Sequence, residues 1–316
     1  DFVRLEKKSF EKCPNISFDK AVMERTAKGF VFPLKAAWSD IGGWKSFWEN
    51  SDKDKDNNLV IGNALQFSSK NSFISSYSRL TVAMGIDNLI IVGGCALNCV
   101  ANPLALKHFN SIHVPANPGD AGSAVGCVLA HTKQFLEMPH AFLGHNIKGE
   151  YPVEKILQKL QKDKITAVAS GRAEFGPRAL GNRSILADPR GDNVKERVNN
   201  IKQREYFRPF APAILEEHAD QYFDGVKGPF MQYTSTCQRP DAFPAIIHYD
   251  NTSRVQTVSK TDNTGFRTLL EQWYKLTGCP MLLNTSLNIK GEPLVNTRQD
   301  AERWSNKYGV EVCLPN

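Results

Sequence analysis

Apolar and polar positions divide the chain into three stretches. From about residue 146 onward the apolar spacing is helical in YPVEKILQKLQKDK, where Val153, Ile156, Leu157 and Leu160 share one side. FRTLLEQWYKL and DAERWSNK repeat the pattern, and their aromatics are expected in a core. KITAVASGRAEFGPRALGNRSIL predicts strand, turn and loop, FRPFAPAIL a buried strand braced by prolines, and EEHADQYF a helix. DNVKERVNNIKQRE alternates in charge as a surface helix does, which leaves Lys195 and Arg197 solvated. KGPFMQYT, IIHYDNTSRVQTV and CPMLLNTSLNIKGEPLV predict short strands and turns that carry Met231, Arg254, Gln256, Asn284, Ser286 and Asn288. An extended NTSLN segment sets amide and hydroxyl groups two residues apart on one face. Turn capping is the alternative for Asn284 and Asn288.

The middle stretch predicts a buried strand in DNLIIV, a Gly-rich turn in GGCALN and a helix in CVANPLALKHF. IHVPANPGDAGSAVGCVLA follows as a second strand, a Gly/Pro turn carrying Asp120, and an Ala-rich helix. A strand, a double glycine and a helix N-terminus suit a phosphate, and close backbone packing accounts for the same small residues. At the start of the chain Ser17 and Asp19 precede the helical run KAVMERTA, GFVFPL predicts a strand, and WSDIGGW is a turn bearing Asp40. Such an aspartate can hold Mg2+ against a nucleotide phosphate, or simply form the turn.

At 316 residues the chain has room for two domains, and its composition is that of an ordinary globular protein. A net charge of +6 suits anionic small molecules and only weakly suggests nucleic acid. Seven scattered cysteines without a C-x-x-C pair point to reduced thiols and a cytoplasmic location. No apolar run reaches membrane-spanning length. The first residue is Asp1, so a removed signal peptide and a fragment are both open.

Candidate chemistry concentrates between Gly171 and Pro212, in GRAEFGPRALGNRSILADPRGDNVKERVNNIKQREYFRPFAP. Arg172, Arg178, Arg183, Lys202, Arg204 and Arg208 stand among Gly, Pro, Ala, Leu and Phe. Cations in apolar company are costly to bury unless an anion lies against them. The planar guanidinium fork grips two phosphate or carboxylate oxygens at once. The glycines of GPRALG bring backbone N–H groups within reach of a phosphate. The competing reading is a solvated basic face, or pairing with Glu174, Asp188 and Glu205.

This portion resembles the C-terminal domain of the O-carbamoyltransferases of the nodulation and cephamycin/tobramycin type. The resemblance rests on GRAEFGPRALGNRSILADPR, VNNIKQREYFRPFAP, PFM, TSRVQTV and LLNTSLNIKGEP, in that order. It implies a mixed α/β domain, residues 146–316, with the threonylcarbamoyl-AMP synthase (YrdC-like) fold. That domain binds carbamoyl phosphate and ATP and makes carbamoyl adenylate, which an acceptor hydroxyl, often on a sugar, then attacks. The resemblance assigns Arg178, Lys202 and Arg208 to carbamoyl phosphate or its breakdown products. It assigns Arg204, Arg254, Ser286 and Asn288 to the adenylate, with Arg172, Arg183 and Met231 also among the binding residues. GGCALNCVAN and NPGDAGSAVG, within residues 93–145, resemble the end of the same family's actin/Hsp70-like ATP domain. This implies that Gly93, Gly94 and Asn98 approach ATP and that Asp120 is an iron (Fe2+) ligand. The partner histidines belong to a motif this sequence lacks, and His108, His113, His131, His140 and His145 do not stand in its place.

Residues 1–92 resemble mannose-1-phosphate guanylyltransferase through KCPNISFDKAVME, PLKAAWSDIGGWKSFWE, KDKDNNLVIGN and SSKNSFISSYSRLTVAMGIDNLIIV. That resemblance makes Asp40 a metal ligand at a nucleotidyl-transfer site, although the family's Gly-rich nucleotide loop has no counterpart here. The expectation is a composite or truncated chain joined near Val92–Gly93, most secure in its folding from Lys148 onward, with unpaired sheet edges before residue 145. Carbamoyl transfer is the favoured function. A nucleotidyltransferase and an RNA-binding module are the alternatives, and a membrane partner is not expected.

Overall fold

The structure is a computed structural model. It describes residues 16, 19–30, 44–67, 69–84, 88–107, 109–134, 138, 140–191, 193–204, 210–261 and 264–316. GFVFPL beyond Phe30, the WSDIGG turn with Asp40, Ser17, His108, Glu205 and Arg208 lie outside the described residues.

Two compact units divide between Gly85 and Ile86. In the first, a five-residue π-helical turn spans Asp19–Met23, the helix α1 spans Trp44–Glu49, and strands β1 (Leu59–Phe67) and β2 (Phe73–Met84) pair with each other. The turn joining them is tied by Asn58, whose amide nitrogen donates to Ser69 O at 2.9 Å and whose side-chain oxygen accepts from Ser72 N at 2.9 Å.

The second unit opens with β3 (Asn88–Ile90), two short 3-10 turns (Gly94–Leu97 and Asn102–Lys107), β4 (Ser111–His113) and α2 (Asp120–Thr132). Here the structure corrects two expectations. Residues 88–92 do not form a buried strand: among the described residues β3 pairs with β4 alone, and Asn88 and Ile90 are exposed. Among the described residues of CVANPLALKHF there is no α-helix: Pro103 has no N–H to donate to Cys99 O and so blocks a helix from Cys99, and Asn102–Lys107 settle into a 3-10 turn. Gly122 in α2 packs so closely on the Asn117 carbonyl that a Cβ would overlap it, which favours the packing explanation of the small residues.

Onward lie β5 (Asn146–Ile147), α3 (Val153–Asp163), β6 (Ile165–Ala169), β7 (Gly171–Arg172), β8 (Arg183–Ala187), α4 (Val194–Lys202) and β9 (Ala211–Leu215). Then come β10 (Phe223–Asp224), β11 (Ser235–Cys237), β12 (Thr252–Ser253), β13 (Gln256–Val258), α5 (Thr264–Thr277), β14 (Met281–Ser286), α6 (Arg298–Tyr308) and β15 (Val312–Cys313). EEHADQ, expected as a helix, is a 3-10 turn over Glu216–Gln221.

Six strands form one mixed sheet in the order β13-β9-β14-β8-β6-β15, with β5–β7 and β10–β11–β12 as small satellites. Strands β6, β8 and β9 are buried at every position, because helices cover both faces. On one face Ala167, Ile185, Ile214, Met281 and Leu283 pack with Val194 and Val198 of α4 and Ala301 and Trp304 of α6. On the other, Val168, Leu186, Ala213 and Leu282 pack with Ile156, Leu157 and Leu160 of α3 and Phe266, Leu269, Leu270 and Trp273 of α5. The alternation of successive residues between the two clusters is the period-2 geometry of a strand. The early part of this unit is tied to the sheet portion by Asn102, whose amide donates to Gln232 O at 2.9 Å, and by Tyr233, whose hydroxyl donates to Ile112 O at 3.2 Å.

Candidate functional site: a rim of cations at one end of the sheet

Strand register brings the interesting residues to one end of the sheet. Ser286, the last residue of β14, lies opposite Ser184 at the start of β8, and Asn284 lies opposite Ala211 at the start of β9. Arg254 stands two residues before β13, which runs parallel to β9. Arg204 and Phe210 precede β9, with the guanidinium stacked over the ring at 4.2 Å. Residues that are far apart in sequence therefore share one rim.

Lys202 ends α4 and is buried. Its ammonium donates to Ser286 O at 2.5 Å, Asn288 Oδ1 at 2.9 Å, Asn288 O at 3.0 Å and Ser286 Oγ at 3.1 Å. All four acceptors are neutral dipoles. Burial, and then the neighbouring Arg204 cation, push its pKa down to about 7. Asn288 is thus a partner of Lys202 as well as a turn residue; its amide nitrogen donates to Glu292 O at 3.1 Å. Arg204 also donates from Nε to Asn199 Oδ1 at 3.0 Å.

Arg178 lies in the loop between β7 and β8. It makes one long hydrogen bond, from Nη2 to Leu97 O at 3.4 Å. Burial, and then the Arg254 cation, bring its pKa down to about 10. Arg254 Nε is buried without a hydrogen-bond partner. Among the described residues no carboxylate lies within ion-pair distance of Arg178, Lys202 or Arg254. The expected pairings resolve differently: Asp188 binds Arg190 and lies 3.7 Å from Lys164, and Glu174 takes backbone N–H groups. Like cations held together in partial burial without counter-ions favour the binding of an oxyanion.

Other predicted residues stand elsewhere. Arg183 is fully buried, and every N–H of its guanidinium meets a backbone carbonyl, those of His145, Ser170, Gly171, Asn182 and Asn296. It ties the loop to the sheet. Arg172 is exposed, with one long bond from Nη1 to Gly144 O at 3.4 Å. The sequence suggests that Gly181 opens its N–H to phosphate. Instead that N–H donates to Ser184 Oγ at 3.1 Å, and a Cβ there would lie 2.5 Å from the Phe266 ring at a φ of +118°. Lys195, expected in water, is half-buried, whereas Arg197 is exposed.

Met231 is buried with φ +57°, a left-handed conformation uncommon outside glycine. With Leu97, Phe230 and Gln232 it walls a small recess that Arg178 enters. Gly93 has φ +86° and donates to Pro118 O at 2.6 Å, and Gly94 begins the following 3-10 turn. Asn98 uses its side-chain oxygen locally, accepting from Val100 N at 3.2 Å and Ala101 N at 3.1 Å. Asp120 is exposed at the first position of α2, and the described residues contain no group of three or more His, Cys, Asp or Glu that could hold a metal ion. Among the described residues Asp120 therefore has no companion ligands for the iron that the resemblance implies.

Nothing in the sequence marks Gln256 or His248 as a site residue, and Asn284 stands there only as part of the NTSLN face or as a turn cap. Gln256 and Asn284 are buried and bonded to each other, Asn284 Nδ2 donating to Gln256 Oε1 at 2.7 Å. Their 28-residue separation leaves no local signal. The imidazole of His248 has a pKa lowered by burial, opposed by Asp250 and reinforced by Arg254 and Lys195.

Comparison with known proteins gives this rim a context. A family model described as Carbamoyltransferase C-terminus matches residues 157–314, and one described as Carbamoyltransferase N-terminus matches residues 44–129. The N-terminal match begins upstream of the Val92–Gly93 boundary expected from the sequence, and the guanylyltransferase alternative receives no support. Nodulation protein U of Sinorhizobium fredii is 36% identical over 240 residues, covering 70% of this chain and 43% of that protein. The 3'-hydroxymethylcephem-O-carbamoyltransferase of Amycolatopsis lactamdurans is 34% identical over 241 residues, covering 70% and 46%. An uncharacterized protein of a Synechocystis strain, sll1178, is 35% identical over 277 residues, covering 70% and 45%. The chain thus spans about half the length of these relatives. With both family models matched in order, and the C-terminal one covering the sheet and its cationic rim, the chain belongs to the carbamoyltransferase family.

Proposed function

We propose that this chain binds carbamoyl phosphate and ATP and forms carbamoyl adenylate for transfer to a hydroxyl acceptor, in the manner of an O-carbamoyltransferase. The observation that carries the reading is a set of sheltered cations without carboxylate partners among the described residues: there Lys202 bonds to neutral oxygens, and Arg178 lies beside Arg254, whose Nε is buried and unpartnered. Carbamoyl phosphate and ATP bring several negative charges together, and fixed cations offset their repulsion in ground and transition states. Carbamoyl phosphate is hydrolysed to carbamate and phosphate. A carbamate oxygen then attacks the α-phosphorus of ATP and pyrophosphate leaves. The acceptor hydroxyl attacks the carbamoyl carbon, loses its proton to solvent, and displaces AMP.

Arg178, Lys202 and, by resemblance, Arg208 receive the carbamoyl phosphate oxyanions, and Arg204, Arg254, Ser286 and Asn288 the adenylate. Mg2+ accompanies the nucleotide. Positioning and charge perform the work, without a covalent side-chain nucleophile. The mixed sheet with helices on both faces supports a threonylcarbamoyl-AMP synthase (YrdC-like) domain over residues 146–316. Residues 93–145 are assigned by resemblance to the end of an actin/Hsp70-like ATP domain.

The test is carbamoyl-phosphate-dependent ATP–pyrophosphate exchange. Lys202→Ala is expected to lower it by about 100-fold, the scale of losing one fixed stabilising group. Equal activity in the variant and the parent would remove Lys202 from the site.

A further inference from the structure

The loop that presents Arg178 is fastened at both ends, and one carboxylate does most of the fastening. Glu174 is buried at 8% exposure. Its Oε1 accepts from Leu180 N at 2.8 Å, Asn182 N at 2.9 Å and Arg183 N at 3.3 Å. These bonds close the segment 174–183 into a ring with Arg178 near its middle. From the other side, Ala179 O accepts from Asn284 Nδ2 at 2.9 Å and Leu180 O accepts from Gln256 Nε2 at 3.1 Å. The residues that follow Arg178 are thereby locked: Ala179 and Leu180 are buried. Among the described residues Arg178 has only its long bond to Leu97 O to hold its own direction.

We propose that Glu174 is the positioning residue for Arg178: its carboxylate gathers three backbone N–H groups and so holds the guanidinium at the mouth of the oxyanion site. Charge-assisted bonds from backbone N–H to a carboxylate are stronger than neutral ones, which suits a loop that must carry a cation toward another cation, Arg254. Asn284 and Gln256 act as the opposing jaw, each reaching a loop carbonyl from a strand of the main sheet. Neither Glu174 nor Gln256 need touch the ligand.

The inference rests on the reading of Arg178 as an oxyanion contact, and the test separates the two. The dissociation constant of carbamoyl phosphate is measured by calorimetry for the parent chain, Glu174→Ala, Glu174→Gln, Arg178→Ala and the Glu174→Ala/Arg178→Ala double variant, with the melting temperature recorded for each. Glu174→Ala is expected to weaken binding about tenfold, and Glu174→Gln, whose amide oxygen still accepts N–H bonds, no more than about threefold. When Arg178→Ala is already present, the same Glu174→Ala change is expected to alter affinity less than about twofold, because the group it positions is gone. A lowered melting temperature with unchanged affinity would overturn the proposal, as would an undiminished loss in the double variant relative to Arg178→Ala alone. If Glu174→Ala does not fold, Gln256→Met cuts the opposing jaw and runs the same cycle under the same criteria. Parent-like affinity in Arg178→Ala would instead overturn the reading of the site, and this inference with it.

Discussion

Residues 146–316 and residues 86–145 both contain strand-like apolar runs; among the described residues the former bury theirs throughout the core strands, whereas the latter bury theirs only in part, as at Val114. The core strands β6, β8 and β9 are buried throughout, whereas in the latter Ile90 is 68% exposed, Val92 57% and Val128 60%. An apolar run becomes a buried strand when neighbours pair its backbone and other elements cover its faces. Six strands with helices on both sides supply that, and a two-stranded ribbon does not. Polar chemistry follows the same division. The well-covered portion can bury Lys202 and Arg183 with their hydrogen bonds made, whereas Asp120, in the thinner portion, lies exposed at a helix start.

The largest effect expected from this contrast is on stability. Phe266→Ala removes a fully buried ring from the α5 face of the sheet and is expected to cost about 3–5 kcal/mol, read from urea unfolding. A loss near 1 kcal/mol would mean that this face packs no better than the early ribbon. A second effect is on pH dependence, and it tests whether burial of Lys202 matters to binding. The folded pKa is depressed toward 7, so the unfolded chain binds the proton more tightly. Stability should rise with pH between about 7 and the ordinary lysine value near 10.4, and be lowest below 7, where both states are charged. Anion binding needs the charged form, so carbamoyl phosphate affinity should fall as pH rises through 7. Lys202→Met should flatten both profiles, and a slope that survives the substitution would assign the titration to another group. The smallest effect is expected in the thin portion: Val128→Ser, on an exposed face of α2, should change stability by no more than about 0.5 kcal/mol. A cost of several kcal/mol would show that this face is covered in solution.

Helical periodicity made α3, α5 and α6 legible, down to the buried Ile156, Leu157 and Leu160, Trp273 and Trp304. Apolar spacing in CVANPLALKHF suggests more helix than Pro103 allows, and the apolar run DNLIIV suggests a burial that depends on partners its own residues do not reveal. The cationic cluster was visible as composition, arginines and a lysine in apolar company. Their roles were not. Arg183 and Arg178 look alike in GPRALGNRS, yet one has every N–H on a carbonyl and the other has a single long bond.

What the chain's letters determined was local: residue types suited to oxyanions, the period of the helices, and motifs specific enough to identify a family. Which cation meets several protein acceptors, which keeps one long bond among the described residues, and which backbone N–H groups a buried carboxylate gathers were decided by tertiary structure. Lys202 meets its acceptors 84 and 86 residues away. Such partners are set by strand register and by the helices that close over it, and neither is encoded in the few residues around the lysine.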